Sequence, residues 1–359
     1  MITKLNEVFN ASAFVGYVEA TQEILGEATE LESLFPVRTI DGLDYSYIKT
    51  ANSAVELTAP SAFDAEPIAQ HREGFDAMKG ELPLFRRKMN LSEKEKSMLK
   101  LYMRANNEEG VNRLLTQIFD DQATLVKGAV MTQEFLRARA LMDGKITIAS
   151  KGGAVAVDYK VPSTNKYTLT DTDAWTDPTA NIVKQITDAL DKVEDSTGVR
   201  PTRIIMNRNT FRYLRENNQI KANMMPIATA VAAGLAEGVV ITDAQITATF
   251  KALTGLEEVI VYNKKVSMDG VLYDLIEDKK VAIVPAGELG NTLIGTSPAE
   301  LNMDDANKSG ADITIMGNGL AVNTYSNDKA PYTAGTEIEF VGLPSFLASD
   351  RVVLMTVAE

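Results

Sequence analysis

Apolar residues recur at helical spacing over an unusually long stretch of this chain. Val111, Leu114, Leu115, Ile118, Leu125, Ala129, Leu136 and Ala140 follow one another mostly at steps of three, four or seven, the period of one helix face. Asn106 and Asn107 can cap the start, and Glu108 and Glu109 suit the positive end of a helix dipole. Asp143-Gly144 is a stop signal. A helix from Glu108 to Asp143 would hold roughly 36 residues and reach about 54 Å. A compact globule has little use for such a rod, so the spacing predicts an elongated protein. The alternative is two helices broken near Gly128.

The segments around this helix alternate between periods. Residues 10–34 read as a helix through Phe14, Val15, Val18, Ile24, Leu25, Leu31 and Leu34, stopped by Pro36. Gly16 and Gly26 predict a bent or interrupted arm. Residues 37–88 read as a long two-stranded hairpin: Asp41-Gly42 turns, Leu43, Tyr45 and Tyr47 alternate, and Pro60, Pro67 and Pro83 exclude helix. Two strands alone bury too little to stand in water, so the hairpin must lie on its own body or on a neighbour. A short helix opens at Ser92-Glu93-Lys94-Glu95 and runs to about Arg104. After Gly144, Lys145–Ile148 and Val155–Tyr159 flank Lys151-Gly152-Gly153 as a second hairpin.

Further on, Asp177-Pro178 predicts a helix start, with Ile182, Val183, Ile186, Leu190 and Val193 as its apolar face and Gly198 as its end. Arg203–Met206 reads as a buried strand, and Asn209-Thr210 as the lead into a helix through Phe211 and Leu214. Glu258–Tyr262, Val271–Ile276 and Val281–Val284 read as strands, with a turn at Asp269-Gly270. Residues 313–357 read as mostly β, turning at Asn318-Gly319 and at Pro344. The fold class is α+β, and the length of 359 residues exceeds one compact domain.

Composition removes several function classes. The chain has no cysteine, which excludes disulfides, thiolate metal sites and cysteine nucleophiles. Its single histidine, His71, cannot form a two-histidine zinc site. The net charge of −13 gives no general basic bias toward nucleic acid; Arg86-Arg87-Lys88 is the candidate local patch, against the plainer reading of a solvated strand end. No apolar run reaches a membrane span, because Pro226 and Glu237 interrupt the Ala- and Val-rich stretch from Met224 to Ile241. The N-terminus lacks the features of a signal peptide. Phosphate-loop, nucleophile-elbow and dinucleotide patterns are missing; Gly317-Asn318-Gly319 fails at the third glycine. Asp305, Asn307, Ser309 and Gly310 imitate half a calcium loop, but Met316 stands where its closing Glu is needed. Asp120-Asp121 and Glu257-Glu258 are adjacent pairs that do not face each other. No catalytic residue, cofactor site or metal site is expected.

An ordered series of segments carries a resemblance. Leu34-Phe35-Pro36 precedes the first hairpin, and Arg137-Ala138-Arg139-Ala140-Leu141-Met142-Asp143-Gly144-Lys145-Ile146 closes the long helix. Val157-Asp158-Tyr159, Ala174-Trp175 with Asp177, Thr197-Gly198 before Pro201, Val284-Pro285, Leu289-Gly290 and Gly295-Thr296-Ser297-Pro298-Ala299-Glu300 follow in order. Over about residues 30–355 the chain resembles the major capsid proteins of tailed bacteriophages, with the Hong Kong 97-type fold, and is most similar to the phage lambda major head protein family. The resemblance implies an N-terminal arm (1–36), an extended loop (37–90), a peripheral domain with a spine helix (91–164), an axial domain (165–300) and a return to the peripheral domain (301–359).

It also implies a non-enzymatic shell subunit of the virion, assembled in the host cytoplasm around double-stranded DNA without sequence-specific binding. Its partners would be copies of itself in pentamers and hexamers, a scaffold protein, a portal and a decoration protein. Tyr45, Tyr47, His71 and Phe75 are the candidate subunit contacts, since aromatic side chains dominate interface energetics; the alternative is that they only pack the hairpin on its own body. Three other readings stay open: an encapsulin-like nanocompartment shell of the same fold, another virion component such as a tail or decoration protein, and a soluble α/β enzyme using carboxylates and a divalent metal.

Overall fold

The computed structural model describes residues 9–20, 30–49, 76–150, 153–224, 242–268, 271–303, 312–317, 319–326, 329 and 333–358. Its longest helix runs unbroken from Glu108 to Asp143, 36 residues, straight through Gly128. The Asn107 side chain accepts from the Gly110 amide at 2.9 Å and so satisfies one free donor of the first turn. Gly144 ends the helix at φ +63°, the left-handed conformation that an L side chain resists. The preceding helix, Glu93–Arg104, starts on a capping box between Ser92 and Glu95.

The chain divides into two compact units. The first comprises residues 1–47, 78–137 and 291–345. Its sheet runs Val37–Thr39, Gly290–Gly295, Ala334–Phe346, Ala321–Ser326, Asp312–Ile315, with Leu84–Leu91 also paired to Ala334–Phe346. The 13-residue strand Ala334–Phe346 is its spine. Leu84–Leu91 lies antiparallel to it from Val341 to Ala334. The apolar face of the long helix (Leu115, Ile118, Phe119, Val126) packs with Ile338 and Phe340 in one core, together with Phe14 and Val18 of the helix Ala11–Ala20. The Ala11 amide donates to Asp312 at 2.8 Å. The first helix is therefore held on this unit by both an apolar face and a capping carboxylate. The expected helix over 10–34 appears as Ala11–Ala20 and Glu30–Leu34, with residues 21–29 outside the described residues.

Pro344 does not turn the chain as expected. It lies inside the strand Ala334–Phe346. The ladders with Leu84–Leu91 and Ala321–Ser326 end at Val341 and Glu339, before Pro344, and the remaining neighbour at this end of the strand is Gly290–Gly295. The turn at Gly319 is present, with its amide donating to the Met316 carbonyl at 2.9 Å.

The second unit comprises residues 48–77, 138–290 and 346–359. Its five-stranded sheet runs Lys166–Thr168, Val353–Thr356, Lys280–Val284, Arg203–Met206, Glu258–Val261. Ile204, Met206, Ile283, Val353 and Met355 face a core closed by Ile186, Leu190 and Val193 of the helix Ile182–Thr197, and by Trp175, Phe211 and Phe250. Such buried side chains each stabilise by about 1.5–3 kcal/mol relative to exposure.

The helix Ile182–Thr197 begins later than Asp177-Pro178 suggested. Asp177 instead accepts from the Thr179 amide and hydroxyl, both at 2.7 Å, in a local turn. The carbonyls of Pro178 and Ala180 are taken by the Asn217 side chain, so Asn181 becomes the cap. Likewise Asn207, not Asn209, caps the helix Arg208–Glu216. Two hairpins complete this unit. Lys145–Ser150 pairs with Gly153–Asp158, as expected. Lys265–Met268 pairs with Val271–Asp274 around the expected turn, whose residues Asp269 and Gly270 lie outside the described residues.

Candidate interaction surfaces

The proximal ribbon is formed by Asp44–Lys49 and Asp76–Glu81. Its base closes where the Leu82 amide donates to the Leu43 carbonyl at 2.8 Å. Tyr45 is buried within the chain itself. Its ring lies over Gly80, where a Cβ would meet the Tyr45 hydroxyl at 2.8 Å, so only glycine allows the two strands to approach there. Burial also raises the Tyr45 phenol above its ordinary pKa. Tyr47 is in the strand Asp44–Lys49. His71 and Phe75 lie outside the described residues, as does the polar string Asp305 to Gly310.

The basic run falls on the strand Leu84–Leu91. Arg86 is engaged by Glu337 at 3.0 Å and Glu339 at 2.5 Å on the adjacent strand. Arg87 lies over the long helix where Gly128 has no side chain; a Cβ there would be 3.5 Å from its guanidinium. Both arginines border a cleft of about 140 Å³, whose other walls include Phe85, Thr132, Ile338 and Phe340. This cleft carries one sign of charge on an apolar floor and no converging carboxylates. Among the described residues no group of three or more His, Asp or Glu could hold a metal ion. No described helix is long and apolar enough to cross a membrane.

Two ion-pair networks join residues far apart in the sequence. In the first unit, Arg137 is almost fully buried beside Glu134 at 3.3 Å, and its Nε donates to Thr292 Oγ1 at 2.8 Å. Thr292 donates onward to the Phe35 carbonyl at 2.8 Å, and Glu32 stands 3.6 Å from the guanidinium. A buried charge must be met in this way. In the second unit, Arg139 bridges Asp143 and Glu277, and Lys280 bridges the same two carboxylates. Burial opposes ionisation of Glu277, but hydrogen bonds from Lys280 and Arg139 outweigh it and hold its pKa below the usual carboxylate value. Burial likewise works against the Lys280 ammonium, while hydrogen bonds to Asp143 and Glu277 win and raise its pKa. Both networks fix backbone from distant segments.

A few large apolar side chains are exposed among the described residues. Val271, Leu272 and Tyr273 are consecutive and exposed on the distal hairpin, while Leu43 and Leu84 are exposed near the base of the proximal ribbon. A run of consecutive exposed apolar side chains is a candidate contact for a partner.

Comparison with known proteins agrees. The family model described as phage major capsid protein E matches residues 31–317. A protein described as a prophage capsid protein, from E. coli CFT073, superposes with a TM-score of 0.58 at 13% identity, covering 98% of this chain and 99% of that one. A phage-related protein from Bordetella bronchiseptica RB50 superposes with a TM-score of 0.51 at 14% identity, covering 93% and 95%. No curated protein sequence matches the chain.

Proposed function

Because this chain belongs to the phage major capsid protein E family, we propose that its two units, proximal ribbon and long helix are the parts of a subunit completed only by neighbouring copies in a phage head. The chain is a shell-forming major capsid protein of the virion, with an α+β fold of the Hong Kong 97 type. The family match over residues 31–317 is the observation that carries this conclusion.

In the proposed assignment, residues 1–36 are an arm and 37–90 an extended loop over a neighbour. Residues 91–164 with 301–345 form the peripheral domain, and 165–300 the axial domain near the five- and six-fold positions; residues 346–359, expected with the peripheral domain, belong instead to the second unit, where Val353–Thr356 pairs with Lys280–Val284. Two features support it. The ribbon is anchored at Leu43–Leu82 and has no other strand partner among the described residues. The helix Glu108–Asp143 spans about 54 Å, long enough to carry contacts at both ends. Tyr47, His71 and Phe75 are proposed to meet the neighbour, and Tyr45, buried against Gly80, to set the ribbon's shape.

The subunit performs no catalysis, assembles in the host cytoplasm with a scaffold protein, a portal and a decoration protein, and surrounds DNA without reading its sequence. The net charge of −13 is consistent with this last role, since a surface that gripped phosphates would impede filling. Association is driven by apolar surface removed from water at many repeated contacts.

The test is electron microscopy of the purified chain, alone and co-expressed with its scaffold. Closed shells of uniform diameter are expected. Monomers or small oligomers under both conditions would overturn the proposal, and shells enclosing an enzyme cargo rather than DNA would replace it with a nanocompartment.

A further inference from the structure

We propose that the distal hairpin of Lys265–Met268 and Val271–Asp274 is a contact in which a second copy of this chain covers Val271, Leu272 and Tyr273; this rests on the reading of the chain as a shell subunit. The hairpin has a fixed base and a bare end. At the base, Tyr262, Leu275 and Ile276 are buried at 3%, 1% and 1% exposure. The Leu275 amide donates to the Lys264 carbonyl at 3.0 Å, Asn207 donates to the Ile276 carbonyl at 3.3 Å, and the Arg208 amide donates to the Asn263 side chain at 2.7 Å. These bonds aim the hairpin.

Beyond them, Val271, Leu272 and Tyr273 stand 53%, 70% and 40% exposed. The register pairs Val266 with Tyr273 and Met268 with Val271, so Val266, Val271 and Tyr273 share one face. The other face carries Leu272 beside the Lys265–Asp274 ion pair at 2.8 Å. Neither strand pairs with anything else among the described residues. An isolated two-stranded ribbon is marginal in water, and one with exposed apolar side chains on each face gains by being covered.

The size of the surface selects the occupant. Val271 and Tyr273 on one face and Leu272 on the other make two small apolar patches. A separate protein held one-to-one needs about 800 Å² on each side. A ring of identical copies does not need that from any single patch. Each subunit makes the contact twice, once with each face of the joint, and closure of the ring adds the small terms together. In a ring the joint is head-to-tail, so the hairpin meets a different surface of the next copy.

The experiment compares wild type, Leu272→Asp and Leu272→Met as full-length chains under conditions in which wild type assembles. Leu272→Asp should melt within a few degrees of wild type, as an exposed position does, yet lose about tenfold or more in shell yield by sedimentation and microscopy. Leu272→Met should assemble as wild type does. Shells from Leu272→Asp at wild-type yield overturn the contact, whereas failure of wild type itself overturns the shell reading. Because the chain lacks cysteine, Leu272→Cys gives a second measure independent of the aspartate variant's folding. Its maleimide labelling should slow about tenfold on going from free subunits to shells. Equal rates would overturn the contact.

Discussion

Arg137 donates through Nε to the Thr292 hydroxyl at 2.8 Å, joining the long helix to the strand Gly290–Gly295. Glu134, fully buried one turn earlier, shares the guanidinium. We predict that Arg137→Met destabilises the unassembled subunit by about 3–5 kcal/mol, because it leaves the Glu134 carboxylate buried without its partner. Urea unfolding measures this. The double variant Arg137→Met/Glu134→Leu should recover part of the loss; equal instability in single and double variants would show that the pair is not the cause.

Gly144 stops the helix at φ +63°, and a Cβ there would stand 2.6 Å from Val161 Cγ2. Gly144→Ala is expected to cost about 1–2 kcal/mol for the left-handed backbone and a further 1–3 kcal/mol for overpacking. Val161→Ala added to it should return only the overpacking part. A melting temperature for Gly144→Ala equal to that of wild type would contradict the close approach.

The carboxylate of Glu277 has a lowered pKa, so its contribution is present above the unfolded carboxyl value of about 4.3 and is lost as pH falls from there through the folded value. The raised pKa of Lys280 works oppositely: its contribution is present below about 10.4 and is lost as pH rises through the folded value. Glu277 is 43% exposed, so solvent screening keeps the effect small. Melting temperature followed from pH 7 to 3 should fall less steeply in Glu277→Gln than in wild type. Parallel curves would remove Glu277 from the acid response.

Replacing residues 44–81 with a short Gly-Ser turn should leave the first unit folded, since Leu43 and Leu82 are already hydrogen-bonded neighbours. A wider cut would take Leu84 and Phe85 out of their ladder, where Phe85 stacks on Phe340 at 4.9 Å. The expected result is a subunit with a cooperative melt and no shells. Normal shells would deprive the proximal ribbon of its role.

Legibility followed the range of the deciding interaction. The ends of the long helix were readable because Asn107, Glu108, Glu109 and Gly144 act within one turn of it. The hairpin around Gly152 was readable for the same reason. The start of the helix Ile182–Thr197 was not, because Asn217 claims the Pro178 and Ala180 carbonyls from far along the chain. Pro344 misled because a proline also fits a strand end that two of its neighbouring ladders do not reach, which only the fold reveals. The two ion-pair networks had one sequence signal: Arg137 and Arg139 stand among Leu136, Ala138, Ala140 and Leu141. Cations in so apolar a stretch of helix require buried partners, though their identity (Thr292, Glu277) belongs to the tertiary fold. The run Val271-Leu272-Tyr273 read as an ordinary strand, and nothing local marks it as bare.

The strand Val353–Thr356 sits between Lys280–Val284 and Lys166–Thr168 in its sheet. A ribosome delivers it after Lys166–Thr168, Arg203–Met206, Glu258–Val261 and Lys280–Val284, the other strands of this sheet. Until then the sheet has a slot one strand wide, and Lys280–Val284 and Lys166–Thr168 each lack a neighbour. A polypeptide whose synthesis stops early thus cannot seal this unit. The strand that joins the two acts as a clasp, and a chain broken anywhere before Val353 leaves it open.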